Sequence, residues 1–254
     1  MGIALRLVRR RTGAASALLG SALLLGALAA QEPEPEQAAP ALDAARLRTG
    51  RFVYRILRGG EEVAKITCTV RRQPYGNVEF TGEATGDYSQ RWEAMATASL
   101  VPISATLRIG RGPGERSFRL SYDGEHVTGH VTGGGTKESA ERTLDERLPA
   151  GTVDQRIDWA AVLSSRLEPG RTFDFSVYDP WSGVSRVVGT VGEAESVRVA
   201  AGKFDVYRVT YKIESARGAE PYTLLATREE PRISVREDFP SGTVSELVEI
   251  RDSE

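Results

Sequence analysis

The chain has 254 residues, enough for one large domain or two small ones. Hydrophobic residues make up 40% of it and charged residues 27%, which is ordinary for a globular protein. The formal net charge of -2 implies no basic surface, so we expect no nucleic-acid partner.

The first thirty residues have the pattern of a targeting segment. Arg6 and the arginines at 9–11 precede an apolar run over residues 14–30, which contains the small-residue cleavage pattern Ala27-Leu28-Ala29. This predicts a secretory signal peptide over residues 1–30 and an exported protein, in the periplasm or outside the cell. The alternative is a permanent N-terminal membrane anchor, for which the apolar run is near the shorter limit.

Residues 31–47 are predicted to be a linker and residues 48–254 a single β-rich domain. The linker begins with QEPEPEQAAP, whose Pro, Glu and Ala residues cannot bury a core and favour an extended chain. A short helical turn is expected within residues 41–47.

Most of the domain alternates apolar and polar residues with the period of a half-buried strand. A hairpin is predicted around Gly59-Gly60, and a weakly apolar segment over residues 125–135 is interpreted as an edge strand or mobile ribbon. Thr152 and Gln155 fit a capping box, which predicts one amphipathic helix over residues 152–167. More than ten strands and one helix predict a mainly β fold, either an antiparallel β-sandwich or a curled, partly closed β-barrel.

The segment over residues 197–213 has an imperfect alternation. Gly202 is expected to form a tight connection between two strands. Phe204 and Val206 fall on the face opposite Tyr207 and Val209, which indicates either a β-bulge near Val206 or burial on both faces.

The sequence carries little that indicates catalysis. His126 and His130 would lie roughly 13 Å apart on a strand, too far to share one metal ion. Cys68 falls on an apolar strand face and is interpreted as a buried, inert thiol. We find no nucleophile elbow and no phosphate loop, and therefore expect no enzyme activity, no cofactor and no metal site. Trp181, in the turn DPWSG, is expected to fold back over a sheet edge rather than to serve as an exposed contact.

A resemblance to a known family rests on turn and strand motifs. They are L-x-P-G at Leu167, Pro169 and Gly170, then V-x-V-x-x-G-x-F at Val197, Val199, Gly202 and Phe204, and Pro231 before a closing pair of strands. The order resembles an uncharacterised bacterial family of secreted envelope proteins, a domain of unknown function, mainly over residues 154–250. The resemblance implies a single curved β-sheet, similar in shape to lipoprotein-localisation factors that hold acyl chains, and it implies no catalytic residues.

The apolar faces of several strands suggest a ligand site. Uncovered apolar surface costs about 25 cal/mol per Å², so either the sheet packs solid or an apolar or lipid-like guest fills its concave face. The predicted lining residues are Ile103, Leu107, Phe118, Leu120, Phe173 and Phe175. We therefore expect a non-enzymatic envelope protein that binds such a ligand. The alternative is a structural or interaction module with an envelope protein as partner.

Overall fold

The computed structural model describes residues 41–87, 89–110, 115–133 and 141–252. The predicted signal peptide over residues 1–30 and linker residues 31–40 lie outside these ranges. Cleavage of residues 1–30 and its alternative, a membrane anchor, therefore both stay predictions. Within the described ranges, no helix is both long enough and apolar enough to cross a membrane.

The described residues form one sheet of fifteen strands with a single α-helix, which confirms the mainly β prediction. The strands are β1 (Gly50–Arg58), β2 (Glu61–Arg72), β3 (Val78–Gly86), β4 (Gln90–Ala96), β5 (Pro102–Ile109), β6 (Arg116–Asp123), β7 (His126–Thr132), β8 (Glu141–Arg147), β9 (Val153–Asp154), β10 (Thr172–Asp179), β11 (Gly183–Val199), β12 (Gly202–Ser215), β13 (Gly218–Thr227), β14 (Ser234–Asp238) and β15 (Thr243–Arg251). The helix, α1, spans Asp158–Ser164.

The strand order shows two meanders joined side by side. It runs from β8 down to β1, continues with β15, and runs down to β9, with Phe52 of β1 opposite Ile250 of β15. All pairs are antiparallel except β9 with β10. The order ends at β8 and β9, yet the side chains of Tyr178 on β10 and Glu146 on β8 are hydrogen-bonded. The described sheet is therefore curled without being closed by a backbone ladder. Of the two predicted architectures, this favours the curled, partly closed barrel over the sandwich of two sheets.

Helix α1 lies on the inner, concave face of the curled sheet. All seven of its residues are buried, and the ring of Trp159 meets Phe80 of β3 edge-to-face at 6.0 Å. A helix buried on every side is surrounded by core rather than lying across a surface. The helix thus covers part of the face where a ligand was predicted.

The predicted helix over residues 152–167 is wrong in length and in character. Its first part forms β9 and a 3-10 turn, and the capping carboxylate belongs to Asp154, which accepts from Arg156 N at 2.8 Å. Thr152 instead donates its hydroxyl to Pro149 O. The amphipathic interpretation assumed that polar residues face water, whereas Asp154, Arg156 and Asp158 are all buried.

The interpretation of residues 125–135 as an edge strand or ribbon is also wrong for residues 125–133, and residues 134–135 lie outside the described ranges. Strand β7 lies between β6 and β8, and Val127 and Val131 are fully buried. The sequence reading missed β8, because all but one of its seven residues are exposed and no alternation marks it.

The predicted β-bulge exists, although it lies on the partner strand. The register between β11 and β12 shifts between Val191 and Ala194, opposite Arg208. Val206 and Val209 are both buried, while the register of β12 with β13 runs through them without a shift, which fits the second alternative, burial on both faces. Gly202 begins β12 with a φ of 137°, as a tight connection requires. Ahead of β1, a 3-10 turn at Ala44–Arg46 is present, and Ala44 is buried.

Candidate ligand-binding interior

Five of the six predicted lining residues lie buried in the core: Leu107, Phe118, Leu120, Phe173 and Phe175. Ile103 is only half-buried. A register shift between β4 and β5 places Pro102 opposite Ala96 and Ser104 opposite Met95, so Ile103 has no partner across the ladder. Pro102 takes the buried position instead, which the strict alternation of the sequence could not indicate.

The five buried residues form two groups on opposite meanders. Leu107 of β5 pairs directly with Phe118 of β6, whereas Phe173 and Phe175 of β10 stack with ring centres 6.0 Å apart. Trp181, in the turn that follows β10, contacts the first group, because its ring lies 5.2 Å from that of Phe118. Its indole Nε1 also donates to Gly133 O at 3.1 Å. Trp181 is thus folded back over the sheet, as predicted.

The two ends of the sheet are joined by a polar network, here named the clasp: Tyr122, Glu146, Asp154, Arg156, Tyr178 and Asp179. Glu146 is exposed and Asp179 half-buried, and the other four residues are buried. Arg156 is its centre, and its Nε lies 2.6 Å from Asp154 Oδ1. The same guanidinium donates to Asp179 Oδ2 at 2.8 Å and to the Tyr178 carbonyl at 3.0 Å.

Two tyrosines extend the clasp to the other meander. Tyr122 of β6 donates its hydroxyl to Asp154 Oδ2 at 2.5 Å. Tyr178 of β10 donates to Glu146 Oε2 of β8 at 2.9 Å. Side-chain bonds therefore connect β6 and β8 to β9 and β10, where the described sheet has no backbone ladder between β8 and β9.

The charges of the clasp stabilise one another. Burial alone would raise the pKa of Asp179, but the guanidinium of Arg156 outweighs it and lowers the pKa below its ordinary value. Burial likewise opposes ionisation of Arg156, yet Asp154 and Asp179 raise its pKa. Burial and the charge on Asp154 raise the pKa of Tyr122, so this phenol remains a donor. At neutral pH, Arg156 and Asp179 are therefore ionised and the Tyr122 phenol is protonated.

A second polar group, the acidic pair, consists of Asp158 and Glu237. Asp158 is the first residue of α1 and is 1% exposed, and its Oδ1 accepts from Trp159 N at 2.6 Å. Glu237 of β14 is completely buried, and its Oε1 accepts from the Tyr211 hydroxyl at 2.5 Å. Tyr211 is held in place by stacking on Tyr222, with ring centres 5.1 Å apart.

Burial and neighbouring negative charge raise the pKa values of Asp158 and Tyr211. Burial, and secondarily the charge on Glu237, raise the pKa of Asp158 to about 7. Burial and the charges on Glu237 and Asp158 raise the pKa of Tyr211 well above its ordinary value. The three groups therefore share one low-dielectric region beside α1.

Two buried oxygen atoms near the acidic pair have no hydrogen-bond partner among the described residues: Asp158 Oδ2 and Ser245 Oγ. Ser245 of β15 is 1% exposed and lies directly opposite Glu237 in the ladder. Buried polar atoms without a hydrogen-bond partner are rare in folded proteins, and a ligand or a water molecule often satisfies them. The sequence reading missed this group. The sequence did contain a signal for it. Glu237 shares a strand face with the apolar Val235 and Phe239, whereas its neighbours Arg236 and Asp238 lie on the opposite face.

The model for a protein family of unknown function, DUF3108, matches residues 48–245. The chain belongs to the DUF3108 family. That confirms the resemblance drawn from the strand and turn motifs. No curated protein matches the sequence.

One similar structure comes from Bacteroides fragilis and is described as a "putative exported protein with YmcC-like fold". It is 11% identical, with 84% of this chain and 100% of that chain covered, at a TM-score of 0.34.

The other candidate groups of this DUF3108 domain lie away from the interior or are inert. His126 points outward, with its Nε2 2.6 Å from Asp145 Oδ1. Within the described ranges, no three His, Cys, Asp or Glu side chains are grouped to hold a metal ion. Cys68 is buried, and burial raises the pKa of its thiol to about 12, which keeps it protonated and unreactive.

Proposed function

We propose that this DUF3108 protein is an exported, non-enzymatic envelope protein that binds an apolar or lipid-like molecule against the inner face of its sheet. The observation that carries the proposal is the clasp. Because side chains rather than a backbone ladder join the ends of the sheet, the interior opens when a few bonds between β6, β8, β9 and β10 break.

The inner face offers the surface that such a guest needs. Leu107, Leu120 and Phe175 are buried, and the cover over this face includes one helix of seven residues. Burial of an alkyl chain contributes about 0.8 kcal/mol per CH₂ group, so a chain of about twelve carbons contributes roughly 10 kcal/mol. That energy exceeds the about 3–5 kcal/mol that breaking a buried ion pair costs.

Two measurements test the ligand proposal. Native mass spectrometry of the protein extracted from cell envelopes should show a co-purified lipid, and a fluorescent fatty acid should bind at tens of micromolar or tighter. Leu107→Phe, which adds volume to the inner face, should weaken probe binding, whereas Val184→Phe at an exposed position should not. Absence of both the lipid and probe binding would refute the proposal.

A second candidate is an interaction module for an envelope protein. It is favoured by β8, a terminal strand that pairs only with β7 in the described sheet and has six of seven residues exposed. An unpaired strand edge can receive a strand from a partner. Thr143→Cys on β8 should then form a specific crosslink in envelopes, and Thr190→Cys on exposed β11 should not. Crosslinking without lipid binding would favour this candidate.

We place the protein in the periplasm or outside the cell, after removal of residues 1–30. The support is the arginine-rich start, the apolar run and the Ala27-Leu28-Ala29 pattern. Mass spectrometry of the purified protein should give a chain that begins at Ala30 or Gln31. A retained Met1 would instead favour the membrane anchor.

A further inference from the structure

We infer that the outer edge of β8 is an interface at which two copies of this chain pair antiparallel, with Leu144 opposite Leu144 of the second copy. Pairing at this edge rests on the second candidate function and deepens it, because it names the partner, and it is independent of ligand binding. A two-fold axis then passes between the two Leu144 residues, and two-fold dimers are the commonest closed oligomers.

The outer edge of β8 carries backbone groups without a partner. The strand pairs with β7 on one side and is the last in the order of the described sheet. Among the described residues, no backbone group other than those of β7 bonds to the backbone of Glu141–Arg147. All but one of these residues are exposed, so a second strand can approach. Such an edge is a template for pairing with another chain.

The order of charges along β8 is complementary to itself. The strand reads ERTLDER, with Leu144 at its centre. When two copies run antiparallel about this residue, Glu141 lies opposite Arg147 of the second copy. In the same register, Arg142 lies opposite Glu146 of the second copy, and the two-fold axis repeats both pairs. Because opposite charges directly across a ladder stabilise it, β8 fits a second copy of itself.

Neighbouring registers place like charges opposite each other. A shift by one residue brings Glu141 opposite Glu146, or Arg142 opposite Arg147 when the shift is in the other direction. A shift by two residues brings Asp145 opposite Glu141 or opposite Asp145 of the second copy. Like charges directly across a ladder destabilise it. Charges on an edge strand usually prevent pairing, whereas those of β8 prevent it in the neighbouring registers and allow it in one.

The apolar layer of the sheet continues across the axis. Leu144 is the one buried residue of β8, at 2% exposed. Residues directly opposite on antiparallel strands point to the same face of the sheet. Both inner faces therefore lie on one side of the joined sheet, and Leu144 of each copy extends the apolar layer of the other.

Glu141 and Arg147 gain the most from pairing. Neither forms an ion pair with another described residue, whereas each meets an opposite charge in the dimer. Arg142 and Glu146 are paired with each other within one copy, 3.7 Å apart, and both side chains are about half exposed. Glu146 also accepts from the Tyr178 hydroxyl. Arg142 and Glu146 exchange partners on dimerisation, so they select the register more than they add affinity.

The test exchanges charges between two variants of the processed protein. Glu141→Arg and Arg147→Glu each place like charges opposite each other in the self-pair, so each variant alone should stay monomeric where the unaltered protein dimerises. A mixture of the two variants restores opposite charges at both positions and should dimerise. Sedimentation velocity at about 1–300 µM measures all samples, because a contact this small gives a weak dimer.

Two controls accompany the mixture. Glu93→Arg reverses an exposed charge on β4 and should leave dimerisation unchanged. The double variant Glu141→Arg with Arg147→Glu exchanges the two signs within one chain, so it should dimerise again. Dimerisation of the mixture also shows that both single variants are folded.

The outcomes separate self-pairing from the proposed functions. An unaltered protein that stays monomeric over this range, or a mixture that stays monomeric, would refute pairing through β8. A dimer that persists in each single variant would assign the contact to another surface, and would refute it as well. Ligand binding is read separately by the fatty-acid probe. A monomeric chain whose Thr143→Cys variant crosslinks to an envelope protein would keep the second candidate function with a different partner.

Discussion

Burial of Asp158 at the start of α1 makes the free energy of unfolding depend on pH. Its pKa in the folded protein is about 7, above the ordinary 3.8, because burial and the charge on Glu237 disfavour ionisation. The folded state therefore binds a proton that the unfolded state has released between these two values. Stability from this group is fully present below pH 3.8 and is lost as the pH rises toward 7. Arg156 opposes the shift, and Tyr211 faces the same region.

We expect Asp158→Asn to stabilise the protein at pH 8 and to have little effect at pH 4. The amide keeps an oxygen acceptor for Trp159 N and removes the charge that must be buried at high pH. Urea unfolding at both pH values measures the difference, with Asp145→Asn as the exposed control. An equal effect of Asp158→Asn at both pH values would show that Asp158 does not titrate between them.

Gly189 on β11 marks a close contact between side chains of two strands. A methyl group there would lie 2.3 Å from Phe173 Cζ and 2.7 Å from Tyr211 Cβ. We expect Gly189→Ala to lower the free energy of unfolding by about 1–3 kcal/mol, the usual cost of overpacking. Thr190→Ala, exposed on the same strand, should change it by less than about 0.5 kcal/mol in the same thermal melts. An unchanged melting temperature in Gly189→Ala would mean that Phe173 does not cover this glycine.

At the level of elements, α1 is held by side chains at its C-terminal end. Arg232 is buried, and its Nη1 donates to Leu163 O at 3.1 Å and Ser165 O at 2.9 Å. Arg46 Nη1 donates to Ser164 O at 3.0 Å. Carbonyls at a helix end lack partners within the helix, and cations there also complement the helix dipole. Two arginines from distant parts of the chain thus fix a helix too short to be stable alone.

We expect Arg232→Ala to destabilise the protein by about 2–4 kcal/mol, because it leaves buried carbonyls without donors. Arg166→Ala, at an exposed position that pairs with Glu168, should cost less than about 1 kcal/mol. Chemical denaturation compares the two variants. Equal stability of both would contradict the role of Arg232 in holding α1.

The strands could be predicted from the sequence because alternation is a local property. The pattern around Phe118 and Phe173 follows from which neighbours are polar, and both positions are buried as expected. Ile103 departs from the pattern because a register shift depends on the partner strand β4. The clasp and the acidic pair could not be predicted, because the sequence does not show which distant residue accompanies a buried charge. Arg156 bonds to Asp179 of β10, and Glu237 of β14 accepts from Tyr211 of β12.

For the whole domain, the clasp supplies side-chain hydrogen bonds between the two ends of the curled sheet. Arg156 is the residue shared by its ion pairs, and it bonds to both Asp154 and Asp179. Removal of one partner from a buried ion pair leaves the other charge uncompensated, which costs more than the pair contributed. Arg156 thus holds Asp154 and the Tyr178 carbonyl in place, and the side chains of Asp154 and Tyr178 make the two hydrogen bonds, to Tyr122 and Glu146, that join the sheet ends.

We expect Arg156→Leu to lower the free energy of unfolding by about 3–5 kcal/mol and to accelerate amide hydrogen exchange in β8 and β10 before other strands. Arg208→Leu, which removes an exposed pair with Glu195 on the outside of the sheet, should leave exchange in both strands unchanged. Uniform acceleration in all strands after Arg156→Leu would show general destabilisation rather than release of the sheet ends.

The pairing of β1 with β15 determines when the domain can finish folding. Each meander consists of hairpins between neighbouring strands, so its contacts close short loops and can form quickly. Phe52 and Ile250, however, meet only after almost the whole chain has been made. As synthesis proceeds from the N-terminus, one edge of β1 remains unpaired until β15 has been made. The slowest and most aggregation-prone interval thus comes late in synthesis, when a chaperone that shields strand edges would be most effective.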